Sequence, residues 1–271
     1  MCCIELDVRL TADNKVVVFH DHSLTRMTNG KLDVGVEELN YKDLPNLEPS
    51  EGCQITKGDR KTYPIPLFSE VLALLQEHPD LTMIVEFKEN DDELVKLVHE
   101  MVSPYRERII WFSLKTPIVN KLRAYDASMP TIVGALEALQ YALCYYMGIL
   151  PFLSLPFCVF GITLQDLPLS KLRSERSLSA LPDALMVLLS YLLAGCPPWF
   201  LSCAPLFTHL QERGYPVWFL GCNEERHVVA AQELGANAVL TDKPRWLADF
   251  MAERGTTLRR NRDSTADDRA V

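Results

Sequence analysis

The sequence predicts an α/β fold in which short apolar strands end in charged residues and amphipathic helices follow them. Residues 3–10 and 81–88 each carry charged side chains at alternate positions of an apolar run, a pattern typical of strands. Apolar residues recur at helical spacing in residues 67–75 and 94–101, which indicates helices with one buried face. With 271 residues and 48% hydrophobic content, the chain is long enough for one large domain.

The first predicted strand, residues 3–10, carries two carboxylates one pleat apart. Alternate side chains of an extended strand share a face, so Glu5 and Asp7 point the same way while their apolar neighbours pack behind them. A second apolar run follows a short turn and ends in His20 and Asp21. A barrel or an open sheet would bring this imidazole near the two carboxylates.

Residues 81–88 repeat the same design, because an apolar run ends in Glu86 and Lys88 on one face. Oxygen ligation by Glu5, Asp7 and Glu86 favours a hard divalent cation such as Mg²⁺ or Ca²⁺ over zinc. A lysine beside these carboxylates indicates a phosphate ester substrate. Alone, a Glu-x-Asp pair is more often a solvated strand face, and it is the combination with His-Asp and Glu-x-Lys that favours a metal site.

Taken in chain order, three motifs resemble the glycerophosphodiester phosphodiesterase family: Glu-x-Asp-Val at 5–8, Val-Val-x-His-Asp at 17–21 and Glu-x-Lys at 86–88. Residues 235–244, Gly-Ala-Asn-Ala-Val-Leu-Thr-Asp-Lys-Pro, are similar to the closing segment of that family. Within the family, the run at 145–152 looks most like the membrane-associated vertebrate branch that acts as a lysophospholipase D.

The resemblance implies a TIM (β/α)₈ barrel with its site at the carboxyl ends of the strands. It implies that Glu5, Asp7 and Glu86 bind a divalent metal, Mg²⁺ or Ca²⁺, that His20 is catalytic, and that Lys88 contacts the substrate phosphate. The implied function is a metal-dependent phosphodiester hydrolase acting on lysophospholipids or glycerophosphodiesters. A lysophospholipase D reaction would release the head-group alcohol and lysophosphatidic acid.

One family motif has no counterpart in this sequence. The family opens with a strand ending His-Arg-Gly, which supplies a second catalytic histidine and a phosphate-binding arginine. We therefore expect an N-terminally truncated barrel that lacks its first strand and helix. The alternative function is a catalytically inactive barrel with a binding or regulatory role. Seven candidate strands fit where a barrel needs eight: residues 3–10, 81–88, 108–113, 129–133, 159–164, 216–221 and 238–241.

The predicted domain organisation is one phosphodiesterase barrel, residues 1–255. Residues 33–66 are polar and rich in proline and glycine, so we expect an insertion at the barrel mouth. The charged residues 256–271 lack apolar periodicity and are expected to form a disordered tail. Thr241 and Asp242 are interpreted as a strand-to-helix cap. The net charge of -9 argues against a nucleic-acid partner, because binding to phosphate backbones needs a basic surface.

Residues 135–201 are predicted to form a hydrophobic lobe. Within it, residues 135–155 and 181–201 are largely apolar, and each approaches the roughly 20 residues that cross a bilayer. Buried barrel helices are the alternative. We expect the lobe to lie on a membrane surface without spanning it, because spanning would place barrel strands on both sides of the bilayer. The predicted location is the cytoplasmic face of an internal membrane, such as the endoplasmic reticulum.

Overall fold

A four-stranded sheet in the order β2–β1–β3–β4 organises the first part of the chain. The fold is that of a computed structural model, which describes residues 2–48, 62–163 and 203–253. β2 runs antiparallel to β1, while β3 runs parallel to both β1 and β4. The strands are β1 (Cys2–Leu10), β2 (Val16–Val18), β3 (Leu81–Phe87) and β4 (Ile109–Phe112).

Two short helices and two longer ones lie between and after these strands. The longer α3 begins where the Asp91 carboxylate accepts a hydrogen bond from the Leu94 amide at 2.7 Å, which satisfies one of the first free N–H groups of the helix. The helices are α1 (Phe68–Leu72), α2 (Leu74–Glu77), α3 (Asp92–Val102) and α4 (Thr116–Tyr125).

The two faces of β1 have opposite chemistry, as the alternation of its side chains predicts. On one face, Leu6, Val8 and Leu10 are buried in a hydrophobic core that also contains residues of β3, β4, α1 and α3. The other face carries Glu5, Asp7 and Arg9. Burial of the apolar face stabilises the sheet and leaves the polar face for a site.

The segment after β2 packs on a second, smaller core. Its fully or nearly buried members are Val17, Phe19, Leu24, Val36 and Ile65. The segment is closed by paired main-chain hydrogen bonds between Leu47 and Tyr63. Residues 33–48 and 62–66 of the predicted insertion therefore fold back towards β2, and residues 49–61 lie outside the described part of the chain.

The chain divides into two compact units, Met1–Glu137 and Ala138–Val271. The second unit contains a three-stranded parallel sheet in the order β5–β6–β7. Its strands are β5 (Phe160–Thr163), β6 (Val217–Leu220) and β7 (Ala238–Val239). The remaining helices are α5 (Ala135–Tyr146), which begins in the first unit, then α6 (Ala204–Glu212), α7 (Glu225–Glu233) and α8 (Pro244–Glu253).

Six of the seven predicted barrel strands are strands in the structure, and residues 129–133 differ. There Thr131 and Ile132 form β-bridges only, and Thr131 is bridged in parallel to Trp111 of β4. Main-chain hydrogen bonds join Trp111 to the Pro130 carbonyl at 2.8 Å and to the Ile132 amide at 3.0 Å. Proline has no amide hydrogen to donate, so Pro130 cannot extend the pairing with β4 towards residue 129.

The predicted location on an internal membrane is wrong for the part of the chain that the structure describes. None of the helices there is both long enough and apolar enough to cross a bilayer. The apolar residues from Ala135 onwards do not form one long helix. α5 ends at Tyr146, and two residues later Gly148 takes a left-handed conformation with φ of 70°. Residues 181–201 of the predicted lobe and the predicted tail at 256–271 lie outside the described residues.

Candidate active site

Three carboxylates meet on the polar face of β1 and β3. Parallel pairing places Asp7 directly opposite Glu86, and Glu5 lies two residues earlier on the same face. One carboxylate oxygen from each of the three residues lies within 4.8 Å of the other two. The structure therefore brings together all three residues that the sequence predicts as metal ligands.

Lys88 provides the positive charge beside this cluster. Its ammonium lies 2.8 Å from Asp7 Oδ1 and 2.7 Å from Glu86 Oε2. Burial is the largest influence on Glu86 and raises the pKa of that carboxyl, with a further increase from Asp7 and an opposing effect from Lys88. Burial alone would lower the pKa of Lys88, but attraction to Glu86 and Asp7 outweighs it and raises the pKa. Lys88 is therefore a charged group at neutral pH.

The carboxylate set fits a hard divalent cation. All three groups offer oxygen, which Mg²⁺ and Ca²⁺ prefer, and their oxygens surround a space small enough for one ion. Glu86 is 8% exposed and held within the sheet, whereas Glu5 is exposed, so the cluster has one solvent-facing side.

His20 lies just beyond β2 and is held by a chain of polar contacts. Its Nδ1 is 2.8 Å from Asp21 Oδ1. Arg26 donates two hydrogen bonds to the same carboxylate, from Nε at 2.6 Å and from a terminal nitrogen at 3.1 Å. Burial would raise the pKa of Asp21, but the hydrogen bonds and charges of Arg26 and His20 outweigh it and lower the pKa. Asp21 is therefore ionised and orients the imidazole.

One cleft of about 550 Å³ contains both His20 and Lys88 in its wall. The His20 side chain is 65% exposed, so it is open to a molecule in this cleft. Glu5 and Asp7 lie within β1, Glu86 and Lys88 lie at the carboxyl end of β3, and His20 lies just beyond β2. The carboxylates are connected to the cleft through Lys88. The residues that line the cleft are Arg9, His20, Asp21, His22, Ser23, Thr25, Arg26 and Lys88.

Sequence reasoning missed Arg9, Arg26 and His22 as residues of this cleft. Arg9 had a detectable signal, since it continues the alternate spacing of Glu5 and Asp7 along β1. Arg26 and His22 had none, because their positions depend on how the segment after β2 folds. The His22 side chain is 79% exposed.

Asn223, Thr241 and Asp242 form a separate network in the second unit. The Asn223 side-chain oxygen accepts hydrogen bonds from the Thr241 hydroxyl at 2.9 Å and from the Asp242 amide at 2.8 Å. Its amide group donates to Asp242 Oδ2 at 2.6 Å. These contacts join the loops that follow β6 and β7 just before α8 begins, which agrees with the predicted strand-to-helix cap.

Comparison with known proteins identifies the family. Residues 2–122 match the Glycerophosphoryl diester phosphodiesterase family. Human lysophospholipase D GDPD3 is 31% identical over 258 residues, which cover 94% of this chain and 78% of that protein. The chain belongs to the glycerophosphoryl diester phosphodiesterase family. Human lysophospholipase D GDPD1 is also 31% identical, over 256 residues that cover 92% of this chain and 76% of that protein.

Solved structures show the same fold as this glycerophosphoryl diester phosphodiesterase. A putative glycerophosphoryl diester phosphodiesterase from Silicibacter pomeroyi matches with a TM-score of 0.61 at 19% identity, over 95% of this chain and 85% of that chain. A phosphodiesterase from Oleispira antarctica in complex with the product sn-glycerol-3-phosphate matches with a TM-score of 0.55 at 15% identity, over 92% and 84%.

Family membership confirms that the chain is a phosphodiesterase by homology. The structure is α/β, and the solved structures that it matches are TIM-barrel enzymes of the same family. Both findings confirm the predicted fold class. The expected absence of a first strand and helix stays a prediction. The roles of His20, Lys88 and the three carboxylates also stay predictions. The structure shows that these residues lie close together.

Proposed function

We propose that this chain is a divalent-metal-dependent phosphodiesterase of the lysophospholipase D type. Its substrates would be lysophospholipids or glycerophosphodiesters, and its products a head-group alcohol and a phosphomonoester such as lysophosphatidic acid. The observation that carries the proposal is the cluster of Glu5, Asp7 and Glu86 beside the Lys88 ammonium. The names of two relatives, both lysophospholipase D enzymes, support the reaction.

Glu5, Asp7 and Glu86 would hold the metal, either Mg²⁺ or Ca²⁺. When bound, a divalent ion would make a nearby hydroxyl more acidic and stabilise negative charge on a phosphoryl oxygen. The three carboxylates have a total formal charge of -3, which the single positive charge of Lys88 only partly compensates. This excess of negative charge favours a divalent cation and disfavours a phosphate group at the carboxylates themselves.

Lys88 would bind a phosphate oxygen of the substrate. Its ammonium lies between the carboxylate cluster and the cleft, so a phosphodiester in the cleft is within the reach of its flexible stem. A charged donor hydrogen-bonds an anionic oxygen more strongly than a neutral one does. Lys88 would thereby fix the phosphorus next to the carboxylate-bound cation.

His20 would move the proton. Because Asp21 holds Nδ1, Nε2 is the nitrogen available to a substrate in the cleft. A lysophospholipid or glycerophosphodiester has a free hydroxyl next to its phosphoester, and internal attack by this hydroxyl avoids the cost of bringing two molecules together. This attack on phosphorus would expel the head-group alcohol and leave a cyclic phosphodiester, which a water molecule would then open to the phosphomonoester. His20 would act as the base for that hydroxyl or as the acid for the leaving alcohol, a contribution of about 10²- to 10⁴-fold.

The decisive experiment is choline release from lysophosphatidylcholine by the purified chain with Mg²⁺, with Ca²⁺ or with EDTA. We expect release that needs the metal and is lost in Glu86→Gln, while the control Glu100→Gln on the exposed face of α3 retains it. Release that is unaffected by EDTA or by Glu86→Gln would contradict the proposed site. No release from folded protein would favour the alternative of a binding or regulatory barrel.

A further inference from the structure

The Arg9 guanidinium connects the three chain segments that carry the candidate site. Arg9 itself lies on β1, two residues beyond Asp7. One terminal nitrogen forms an ion pair with Glu89, which follows Lys88 directly. The other terminal nitrogen donates a hydrogen bond to the main-chain carbonyl of His20 at 3.1 Å. One side chain therefore holds the ends of β1, β2 and β3 in a common arrangement.

Stability alone is a poor explanation for this buried pair. The Arg9 and Glu89 side chains are only 6% and 23% exposed, so both charges have lost most of their hydration. Burial raises the pKa of the Glu89 carboxyl, and Arg9 opposes this increase. Apolar residues of similar size often replace such pairs without loss of stability. The contact with His20 gives Arg9 another role.

We propose that Arg9 is a positioning residue for His20, which it holds by the main-chain carbonyl at the cleft that Lys88 also lines. The catalytic consequence rests on the proposed function. His20 is then restrained at two points, since Arg9 binds its carbonyl and Asp21 binds its imidazole. Two restraints limit both the position of the backbone and the rotation of the ring.

The chemistry of arginine suits this role better than that of lysine. Arginine presents several N–H donors in a rigid plane, so one guanidinium reaches Glu89 and the His20 carbonyl at the same time. A lysine ammonium at the same position keeps the charge but has a single nitrogen with which to reach both acceptors. The geometry thus predicts that Arg9→Lys would retain the ion pair and lose the contact with His20.

The test combines hydrogen–deuterium exchange with kinetics on the full chain. The main variant replaces Arg9 and Glu89 together by methionine, which avoids leaving one buried charge without its partner. We expect faster amide exchange in residues 19–24, while β1 and β3 keep their protection. With lysophosphatidylcholine and metal, kcat should fall by about 10- to 100-fold with little change in KM, because a small misplacement of a catalytic group has an effect of this size.

Two further variants separate positioning from a general structural role. In a His20→Ala background, the Arg9 and Glu89 replacements should cause no additional loss of kcat, because they act through His20. Arg108→Met is the matched control, since Arg108 also binds main-chain carbonyls, at Leu75, His78 and Pro79, but lies before β4. It should leave both kcat and exchange in residues 19–24 unchanged.

Each outcome decides the proposal. Unchanged exchange in residues 19–24, or a loss of kcat that adds to that of His20→Ala, overturns it. If the wild-type chain releases no choline but the local exchange still rises, Arg9 holds His20 as proposed and the proposed function fails. If the double variant does not fold, Arg9→Lys decides by the same exchange measurement, and there too only a local increase supports the positioning role.

Discussion

Asp7 lies directly beside Glu86 on the neighbouring parallel strands β1 and β3. Two carboxylates at adjacent positions of one face repel each other unless a cation lies between them. In this structure the Lys88 ammonium takes that position, within 2.8 Å of an oxygen from each. The arrangement explains how the sheet tolerates the pair and why a divalent cation would compete with Lys88.

Replacement of a carboxylate should remove metal binding. We expect Asp7→Ala to weaken binding of Mn²⁺, used as a probe for the site, by more than about 10-fold, because one of three ligands is lost. Isothermal titration calorimetry measures the affinity directly. Asp80→Ala, at an exposed turn before β3, is the control and should bind as the wild type does. Equal affinities for Asp7→Ala and the wild type would show that the metal binds elsewhere.

Replacement of Lys88 should have opposite effects on metal binding and turnover. Lys88→Met removes the cation that pairs with Asp7 and Glu86, so Mn²⁺ should bind more tightly than to the wild type. Turnover of lysophosphatidylcholine should fall, because the substrate phosphate loses a charged donor. Lys96→Met, on the exposed face of α3, should change neither quantity. Weaker Mn²⁺ binding in Lys88→Met would contradict the competition.

Replacement of Asp21 should slow the reaction without affecting the metal. Asp21→Asn loses the ion pair with Arg26 and no longer fixes which nitrogen of His20 carries the proton. We expect kcat to fall by up to about 10²-fold, the effect of misplacing a catalytic group. Mn²⁺ affinity should be unchanged. Asp43→Asn, at an exposed position of the segment after β2, serves as the control. A normal kcat in Asp21→Asn would show that His20 needs no orienting carboxylate.

Asp126 should make the first unit sensitive to acid. Hydrogen bonds from Ser128 and His99, together with Arg106, lower the pKa of Asp126 below its ordinary value of 3.8. A lowered pKa means that the stabilisation is present above the unfolded value and is lost as pH falls through the folded value. Asp126→Asn should therefore reduce the free energy of unfolding by about 1 to 2 kcal/mol at pH 7.

The measurement for Asp126 is urea unfolding of both proteins between pH 7 and pH 3. The difference between wild type and Asp126→Asn should shrink only as the pH falls below about 4. A difference that stays constant over this range would mean that the Asp126 charge has no part in stability.

Local patterns were sufficient to predict most of the elements and the core of the site. Alternation along residues 3–10 placed Glu5 and Asp7 on one face, and the abrupt end of the second apolar run placed His20 at a strand terminus. The same reasoning overestimated the extent of strand pairing at residues 129–133, where Pro130 limits the pairing. It also overestimated the length of the apolar segment that begins at Ala135, because α5 ends before Gly148. In each case the segment is apolar as predicted, but the backbone properties of a single proline or glycine limit the length of the strand or helix.

The sequence by itself determined the family, the polar face of β1 and the residue types that suit a cation and a phosphate. Only the tertiary structure decided that Asp7 pairs with Glu86, that Lys88 reaches both carboxylates, and that Arg9 joins Glu89 to the His20 carbonyl. The physical reason is that side-chain alternation is set within a strand by neighbouring residues. Contacts such as that of Arg9 with Glu89, 80 residues apart, depend instead on strand register, which the packing of the whole core determines.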